Sequence, residues 1–177
     1  SENLFKGLSP WMQKLPGGLI HVNVVGCALF AAISGSSAAT VATVGKMSIP
    51  ELRKRNYPEK ILLGSLAGSG TLGLLIPPSI ILIIYGVAVQ ESIAKLFIAG
   101  IIPGIMIALI FMSYVIIWSL VNKKSMPKIL EEYSFLEKIK RSKQLLPVII
   151  LILAVIGSIY TGTVSYTHLR AHETYTY

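Results

Sequence analysis

Two short segments carry most of the polar chemistry within the apolar part of this sequence. Residues 34–37 read SGSS and residues 68–79 read GSGTLGLLIPPS, and both lie inside long apolar stretches. Glycine and proline weaken helices, which frees backbone carbonyls beside the hydroxyl side chains. Such hard, neutral oxygen ligands favour a cation like Na⁺ over a transition metal, which prefers His or Cys. We therefore interpret the two segments as sodium-binding breaks in helices.

Close helix packing is the simpler alternative for these small residues. Gly, Ala and Ser are enriched wherever transmembrane helices approach each other, so an isolated stripe of them indicates packing. Two interruptions of this density, one of them ending in Pro-Pro-Ser, favour a site instead. Non-helical backbone at membrane depth must be satisfied by protein or by a water-filled cavity. Paired breaks of this kind are typical of ligand sites in secondary transporters.

The composition indicates a membrane protein. Hydrophobic residues make up 53% of the 177 positions and charged residues only 14%, whereas a soluble domain has about 25% charged residues. The charges cluster in loops, and the stretches between them are long enough to cross a bilayer as helices. The predicted fold class is therefore an all-α polytopic membrane protein. The net charge of +8 is explained by basic cytoplasmic loops, so no nucleic acid partner is expected.

The charged loops give a topology. Residues 46–60 hold five basic and two acidic side chains, and residues 122–143 hold seven basic and three acidic side chains. This excess of basic residues predicts that both loops are cytoplasmic. The first apolar block is then a re-entrant hairpin if its break reverses the chain, although a straight span fits the small N-terminal charge excess equally. The predicted segments are an N-terminal interfacial segment (1–18), a re-entrant hairpin (19–45), a cytoplasmic basic loop (46–60), a broken transmembrane helix (61–89), a periplasmic turn and transmembrane helix (90–121), a cytoplasmic amphipathic arm (122–143), a transmembrane helix (144–163) and a tail (164–177).

The residues of the apolar blocks do not fit an intramembrane enzyme. A serine protease within the bilayer needs a Ser nucleophile and a His base on facing helices, and the only His in the apolar blocks, His21, lies on the same arm as Ser34. The chain has no Asp, and every Glu lies in a loop or in the tail. The apolar blocks therefore contain no carboxylate that could serve in a proton relay. A structural membrane subunit without its own ion site stays open as an alternative.

Three stretches together resemble a known family. They are GGLIHVNVVGCALFAAISGSSAATVATVG (17–45), GSGTLGLLIPPSIILIIYG (68–86) and SIAKLFIAGIIPG (92–104). Their order and spacing are similar to those of the large membrane (M) subunit, DctM-like, of tripartite ATP-independent periplasmic (TRAP) transporters. The resemblance implies half of an inverted-repeat elevator transporter, multi-pass in the bacterial cytoplasmic (inner) membrane. A related sodium/dicarboxylate elevator transporter is the alternative.

The same resemblance implies an activity and partners. The activity is sodium-coupled import of organic anions of the C4-dicarboxylate or sugar-acid class, with Na⁺ as the coupling ion and no other cofactor. The partners are a small membrane (Q) subunit, a periplasmic substrate-binding protein (P subunit), the organic-anion substrate and the lipid bilayer.

The resemblance also implies roles for individual residues. The first break would be the tip of the hairpin and the second the unwound part of the next helix, so that they face each other across one Na⁺ site. Thr40 stands where many relatives carry an acidic residue, and we leave it out of the ligand set. The residues assigned to sodium are Ser34, Gly35, Ser36, Ser69, Gly70, Thr71 and Gly73. The residues assigned to the substrate are Ser37, Pro77, Pro78 and Ser79.

The end of the chain departs from the pattern of the family. Transporters of this type resemble two inverted repeats, and we expect this chain to hold about one of them. Residues 164–174, VSYTHLRAHET, resemble the in-frame translation of a sequencing adapter. We therefore interpret the tail as non-native and expect it to pack against nothing, with a genuine polar extension as the alternative. His168 and His172 fall in this tail, so their spacing is not taken as a metal site.

Overall fold

The computed structural model describes residues 2–127 and 134–160, and the regular structure within them is helical. The predicted all-α class is confirmed for these residues, whereas the predictions about the tail lie outside them. The α-helices are α1 Glu2–Met12, α2 His21–Ser34, α3 Ser37–Lys54, α4 Glu59–Gly70, α5 Leu72–Leu75, α6 Ile80–Val89, α7 Ile93–Val121, α8 Phe135–Ser142 and α9 Leu146–Tyr160. Short 3-10 turns lie at Gly18–Ile20, Lys123–Ser125 and Lys143–Leu145.

Helices α2 and α3 fold back on each other around Gly35. Gly35 adopts a left-handed conformation with φ of 60°, which ends α2 at a position that disfavours side chains. Ser36 then caps α3, because its Oγ accepts from the Ala39 N–H at 3.5 Å. A Cβ on Gly26 would lie 3.5 Å from Val44, and the two residues are equally far from Gly35 along the chain. The two helices are therefore the antiparallel arms of a helical hairpin.

The next apolar stretch is a helix with a narrower break than the sequence predicts. Helix α4 continues to Gly70, the chain turns at Thr71, and the single-turn helix α5 follows. Only residues 76–79 leave the helical conformation. Close packing explains Gly70 at the end of α4, because this glycine contacts the side chain of Val41 on α3. The consecutive prolines end α5, since proline has no N–H to donate to the preceding turn.

Helix α7 returns along α6 toward this break. Gln90, with φ of 57°, ends α6, and Gly86 packs against Ile93 and Leu96 at the start of α7. A Cβ on Gly100 would lie 3.2 Å from the carbonyl oxygen of Leu75. Small residues on α7 therefore allow this helix to approach the backbone of the interrupted helix closely.

The packed core lies between α1, the hairpin and α4. Helix α1, predicted as an interfacial segment, places one apolar face in this core, while Trp11 at its end is 43% exposed. The amphipathic pattern of α1 explains this arrangement, because its apolar residues repeat with helical spacing. The buried residues of this core are Leu4, Phe5, Leu8, Leu19, Val22, Cys27, Val44, Met47, Leu52, Leu62, Leu66 and Leu145.

Large aliphatic side chains cover the outside of α6 and α7. Ile84 is 63% exposed, Ile102 76% and Ile117 62%. Among the described residues, Glu59–Val89 and Ile93–Val121 are long and apolar enough to cross a membrane. Only 17% of the most apolar window of α7 is buried within the protein, so it is not the core helix of a soluble domain. An apolar exterior of this extent is suited to lipid.

A buried polar cluster joins the hairpin to α4. Asn23 on α2 is completely buried, and its Nδ2 donates to the Leu62 carbonyl at 3.1 Å and to the Ser65 Oγ at 3.0 Å. The Ser69 hydroxyl donates to the Ser65 carbonyl at 2.6 Å. Directional bonds in apolar surroundings define which residues of two helices lie side by side. Asn23 therefore sets the register of the hairpin on α4.

Replacing Asn23 tests this register. Asn23→Ala is expected to lower the free energy of unfolding by about 1 kcal/mol, because it removes interhelical bonds. Asn122→Ala is the control, since the Asn122 Nδ2 donates only within its own helix end, to the Trp118 carbonyl at 3.0 Å. Thermal unfolding in detergent measures both, on protein expressed with any native sequence that flanks this chain. Equal losses in the two variants would contradict a register role for Asn23.

Candidate functional site

The hairpin tip (residues 34–37) lies against α5 and the Pro-Pro segment (residues 76–79). The Ile80 N–H donates to the Gly35 carbonyl at 3.4 Å, and a Cβ on Gly35 would lie 2.6 Å from the Pro78 carbonyl oxygen. A Cβ on Gly73 would lie 2.8 Å from the Ser36 carbonyl oxygen. Backbone meets backbone here, so the structure brings together the two breaks that the sequence marks as candidate sites.

Four helix ends meet at this contact. Helix α2 ends at Ser34 and α5 ends at Leu75, while α3 begins at Ser37 and α6 begins at Ile80. Helix C-termini present carbonyl oxygens with partial negative charge, and N-termini present N–H groups with partial positive charge. The contact can therefore attract a cation and an anion side by side.

The hydroxyls of the tip form a closed network. The Ser34 Oγ lies 2.9 Å from the Thr40 Oγ1, and the Thr40 hydroxyl donates to the Ser36 carbonyl at 2.7 Å. Thr40 is completely buried and bonds to two residues of the tip, although it was left out of the predicted ligand set. Its position four residues after Ser36 is the sequence feature that could have identified it, because a Thr hydroxyl on a helix reaches the carbonyl one turn back.

Two of the residues assigned to sodium direct their hydroxyls away from the tip. The buried Ser69 Oγ donates to the Ser65 carbonyl at 2.6 Å and lies 3.4 Å from the Asn23 carbonyl. The exposed Thr71 Oγ1 donates to the Gly68 carbonyl at 2.7 Å. Both bonds exist because α4 stays helical to Gly70, which leaves carbonyls one turn back within reach.

The glycines of the same stretch do reach the tip. A Cβ on Gly70 would lie 3.9 Å from the Ser37 carbonyl oxygen, and Gly73 lies against Ser36 as described above. The second break thus contributes close backbone approach at the tip, while its hydroxyls at 69 and 71 are engaged in their own helix.

The residues assigned to the substrate occupy the start of α3 and the Pro-Pro segment. Ser37 and Pro78 are half-buried, whereas Pro77 and Ser79 are buried. The Ser79 Oγ donates to the Leu74 carbonyl at 2.6 Å. This bond spans the Pro-Pro segment and holds the end of α5 against the start of α6.

Two glycines on α7 support the Pro-Pro segment from the other side. A Cβ on Gly100 would lie 3.3 Å from the Pro77 Cγ, and a Cβ on Gly104 would lie 2.9 Å from the Ile76 Cγ1. These two glycines were assigned no role from the sequence. Their four-residue spacing is the signal for close approach of membrane helices that could have found them.

The donors at the site are neutral. No group of three or more His, Cys, Asp or Glu residues is placed to hold a metal ion in the described part of the chain. The oxygens gathered at the tip come from hydroxyls and backbone carbonyls instead. Such a set suits a singly charged hard cation, because it needs no buried carboxylate to be desolvated.

Comparison with known proteins decides the family. The chain matches the family described as "Tripartite ATP-independent periplasmic transporter, DctM component" over residues 2–175. The chain belongs to this DctM family. The resemblance found in the sequence is confirmed, and DctM proteins are membrane-embedded transporter components and not enzymes.

Individual relatives extend the comparison of this DctM chain. The C4-dicarboxylate TRAP transporter large permease protein DctM of Pseudomonas aeruginosa is 40% identical over 156 residues, which is 88% of this chain and 36% of that protein. The sialic acid TRAP transporter permease protein SiaT of Haemophilus influenzae is 37% identical over 168 residues, 94% of this chain and 27% of that protein. The isethionate TRAP transporter permease protein DctMQ of Oleidesulfovibrio alaskensis is 40% identical over 114 residues, which is 64% of this chain and 18% of that protein. The DctM chain thus spans about a third or less of the length of these curated relatives.

The backbone contact at the tip predicts a strict size limit at Gly73. Gly73→Ala is expected to lower the free energy of unfolding by about 1–3 kcal/mol, because the added methyl group overlaps the Ser36 backbone. Gly64→Ala is the matched control, since nothing lies within 4 Å of a Cβ on that helical glycine, and it should be neutral or stabilising by up to about 1 kcal/mol. Denaturant titration in detergent measures both variants. If Gly73→Ala were tolerated as well as Gly64→Ala, the tip would not pack on α5.

Proposed function

We propose that the chain forms part of a sodium-coupled importer of organic anions, with its site where the hairpin tip meets the Pro-Pro segment. The observation that supports this most directly is the meeting of four helix ends at two breaks in apolar helices. Membership of the DctM family supports the transport role. The names of the relatives, which include C4-dicarboxylate and sialic acid transporters, support a C4-dicarboxylate or sugar-acid substrate class.

Sodium binds to neutral oxygens in this proposal. The proposed ligand set combines the hydroxyls of Ser34 and Ser36 with the backbone carbonyls that end α2 and α5. A bound cation links the hairpin tip to the interrupted helix and orders both backbone segments. Ordering by one ligand lowers the entropy cost of ordering for the next, so sodium and substrate bind cooperatively.

The substrate anion binds at the helix N-termini. Helices α3 and α6 begin at Ser37 and Ile80, and the positive N-terminal ends of these helices attract a carboxylate, although the Ile80 N–H itself donates to the Gly35 carbonyl. Neither the hairpin tip nor residues 68–79 contain Lys or Arg, so the helix ends supply the positive charge within these segments. Ser37, Pro77, Pro78 and Ser79 border this position.

The transport motion proposed for the chain is an elevator movement of the hairpin with α4 and α5. Two contacts support their moving as one body: the buried Asn23 cluster, and the pair between Arg53 at the end of α3 and Glu59 at the start of α4, with Nε 2.6 Å from Oε1. The hairpin is re-entrant, with both arms starting from the basic cytoplasmic side of the bacterial inner membrane.

The proposed partners are a small Q subunit and a periplasmic binding protein. The family description names a tripartite system, and the relative named DctMQ supports the Q subunit. The binding protein delivers the substrate from the periplasm.

An uptake assay tests the sodium site. The protein, expressed with any native flanking sequence, is reconstituted in liposomes with its small subunit and binding protein. Uptake of labelled dicarboxylates and sugar acids is compared under an inward sodium gradient and an inward proton gradient. Ser36→Ala is expected to reduce sodium-driven uptake about tenfold at limiting sodium, because it removes an oxygen donor and the cap of α3.

Two variants serve as comparisons for Ser36→Ala. Ser113→Ala removes an exposed hydroxyl on α7 that donates to the Leu109 carbonyl at 2.8 Å, and it should leave uptake unchanged. Thr71→Ala should have a smaller effect than Ser36→Ala, because the Thr71 hydroxyl is engaged in its own helix. Uptake driven by protons alone would contradict sodium coupling. Equal uptake by the Ser36 and Ser113 variants would indicate that the hydroxyls at the tip are packing residues.

A further inference from the structure

A groove lies away from the tip, between α1, the hairpin and α9. Its volume is about 290 Å³, and its apolar lining consists mainly of Leu4, Phe30, Ile33, Met47, Pro147 and Val148. Phe30, Ile33 and Val148 are half-buried and Pro147 is exposed. The groove is therefore an apolar recess that reaches the outer surface of the helices.

The contacts made by successive turns of α1 show where this groove lies relative to α8. The Trp11 Nε1 donates to the Ser142 Oγ at 2.8 Å, so the end of α1 lies at α8. One turn earlier, a Cβ on Gly7 would lie 2.7 Å from the Leu145 side chain, and Leu4 then lines the groove with Val148. Successive turns of α1 thus follow α8 and the start of α9, which places the groove one to two turns beyond α8.

Helix α8, one to two turns from the groove, is a basic, amphipathic helix. Leu136 is 77% exposed and Ile139 44%, although both are aliphatic. Lys138 lies with its Nζ 5.6 Å from the centroid of the Trp11 ring, and Lys140 and Lys143 are exposed. Exposed aliphatic side chains interleaved with lysines, beside a tryptophan, indicate a helix in the headgroup region of a membrane.

We infer that the groove and α8 bind one anionic phospholipid. An acyl chain occupies the groove, and Lys140 and Lys143 contact the phosphate of the headgroup. The charge favours an anionic lipid, because residues 134–145 hold four basic residues and one acidic residue, Glu137. Glu137 accepts from the Ser134 N–H at 3.1 Å as part of the α8 cap.

The surroundings of the groove favour lipid over a partner helix. The basic, amphipathic α8 beside Trp11 places this recess next to lipid headgroups, where an acyl chain can enter from the outer surface of the helices. The inference rests on membrane embedding and is independent of the proposed sodium site. Loss of lipid binding and loss of sodium coupling are therefore separate outcomes.

Native mass spectrometry tests the inference. The protein, with any native flanking sequence, is reconstituted in phosphatidylcholine vesicles with or without phosphatidylglycerol and extracted in mild detergent. One phosphatidylglycerol is expected to stay bound per protein. Val148→Phe, which fills the groove, should abolish retention, and Ile150→Phe on the exposed side of the same helix should not.

Four lysine variants test the inference independently of Val148→Phe, in case that variant fails to fold. Lys140→Gln and Lys143→Gln should each weaken retention about fivefold, whereas Lys123→Gln and Lys124→Gln, exposed lysines elsewhere, should not. Equal retention by the Lys140 and Lys123 variants would overturn the inference. So would equal retention of phosphatidylcholine, or a groove covered by the small subunit instead of lipid.

Discussion

The arrangement of this DctM chain depends on one constraint, which is that backbone polar groups in hydrocarbon must find partners within the protein or a ligand. Each break exposes such groups, and the structure satisfies them locally: the Gly35 carbonyl accepts from Ile80, the Leu74 carbonyl accepts from Ser79, and the Ser36 carbonyl accepts from Thr40. The first of these bonds joins the two breaks, and each of the other two lies within one break. The breaks therefore satisfy each other in part, which favours their lying together.

Backbone groups of the two breaks can pair only if the two backbones approach each other closely. This close approach explains the glycines at the contact. Gly35 and Gly73 let the hairpin tip meet the interrupted helix, and Gly100 and Gly104 let α7 support the Pro-Pro segment from behind. The interrupted backbone is thus held between two glycine-lined surfaces. A contact of this kind is sensitive to small displacements because interiors are close-packed. An ion that joins the two breaks would consequently affect both at once, which is the physical basis of the proposed coupling.

The sequence was sufficient for the helical class, the membrane setting, the first break and the Pro-Pro part of the second break, because composition and Gly/Pro placement indicate these directly. That the breaks face each other came from the family resemblance. The orientations of Ser69 and Thr71 could not be predicted, since a Gly-rich pattern does not reveal that α4 stays helical to Gly70. Whether the apolar face of α1 packs in the protein core or in the membrane interface, and that Thr40 bonds to the tip, depend on tertiary packing, which a single sequence does not specify.

Hydrogen–deuterium exchange at the two breaks, measured in sodium and then in potassium, tests the coupling most directly. The protein should be studied with any native flanking sequence, in the absence of substrate. Sodium is expected to slow exchange of the amides in residues 34–37 and of Ser79 and Ile80, with no change at the α6–α7 turn around Gln90. Equal exchange at both breaks in the two cations would contradict a sodium site at this contact.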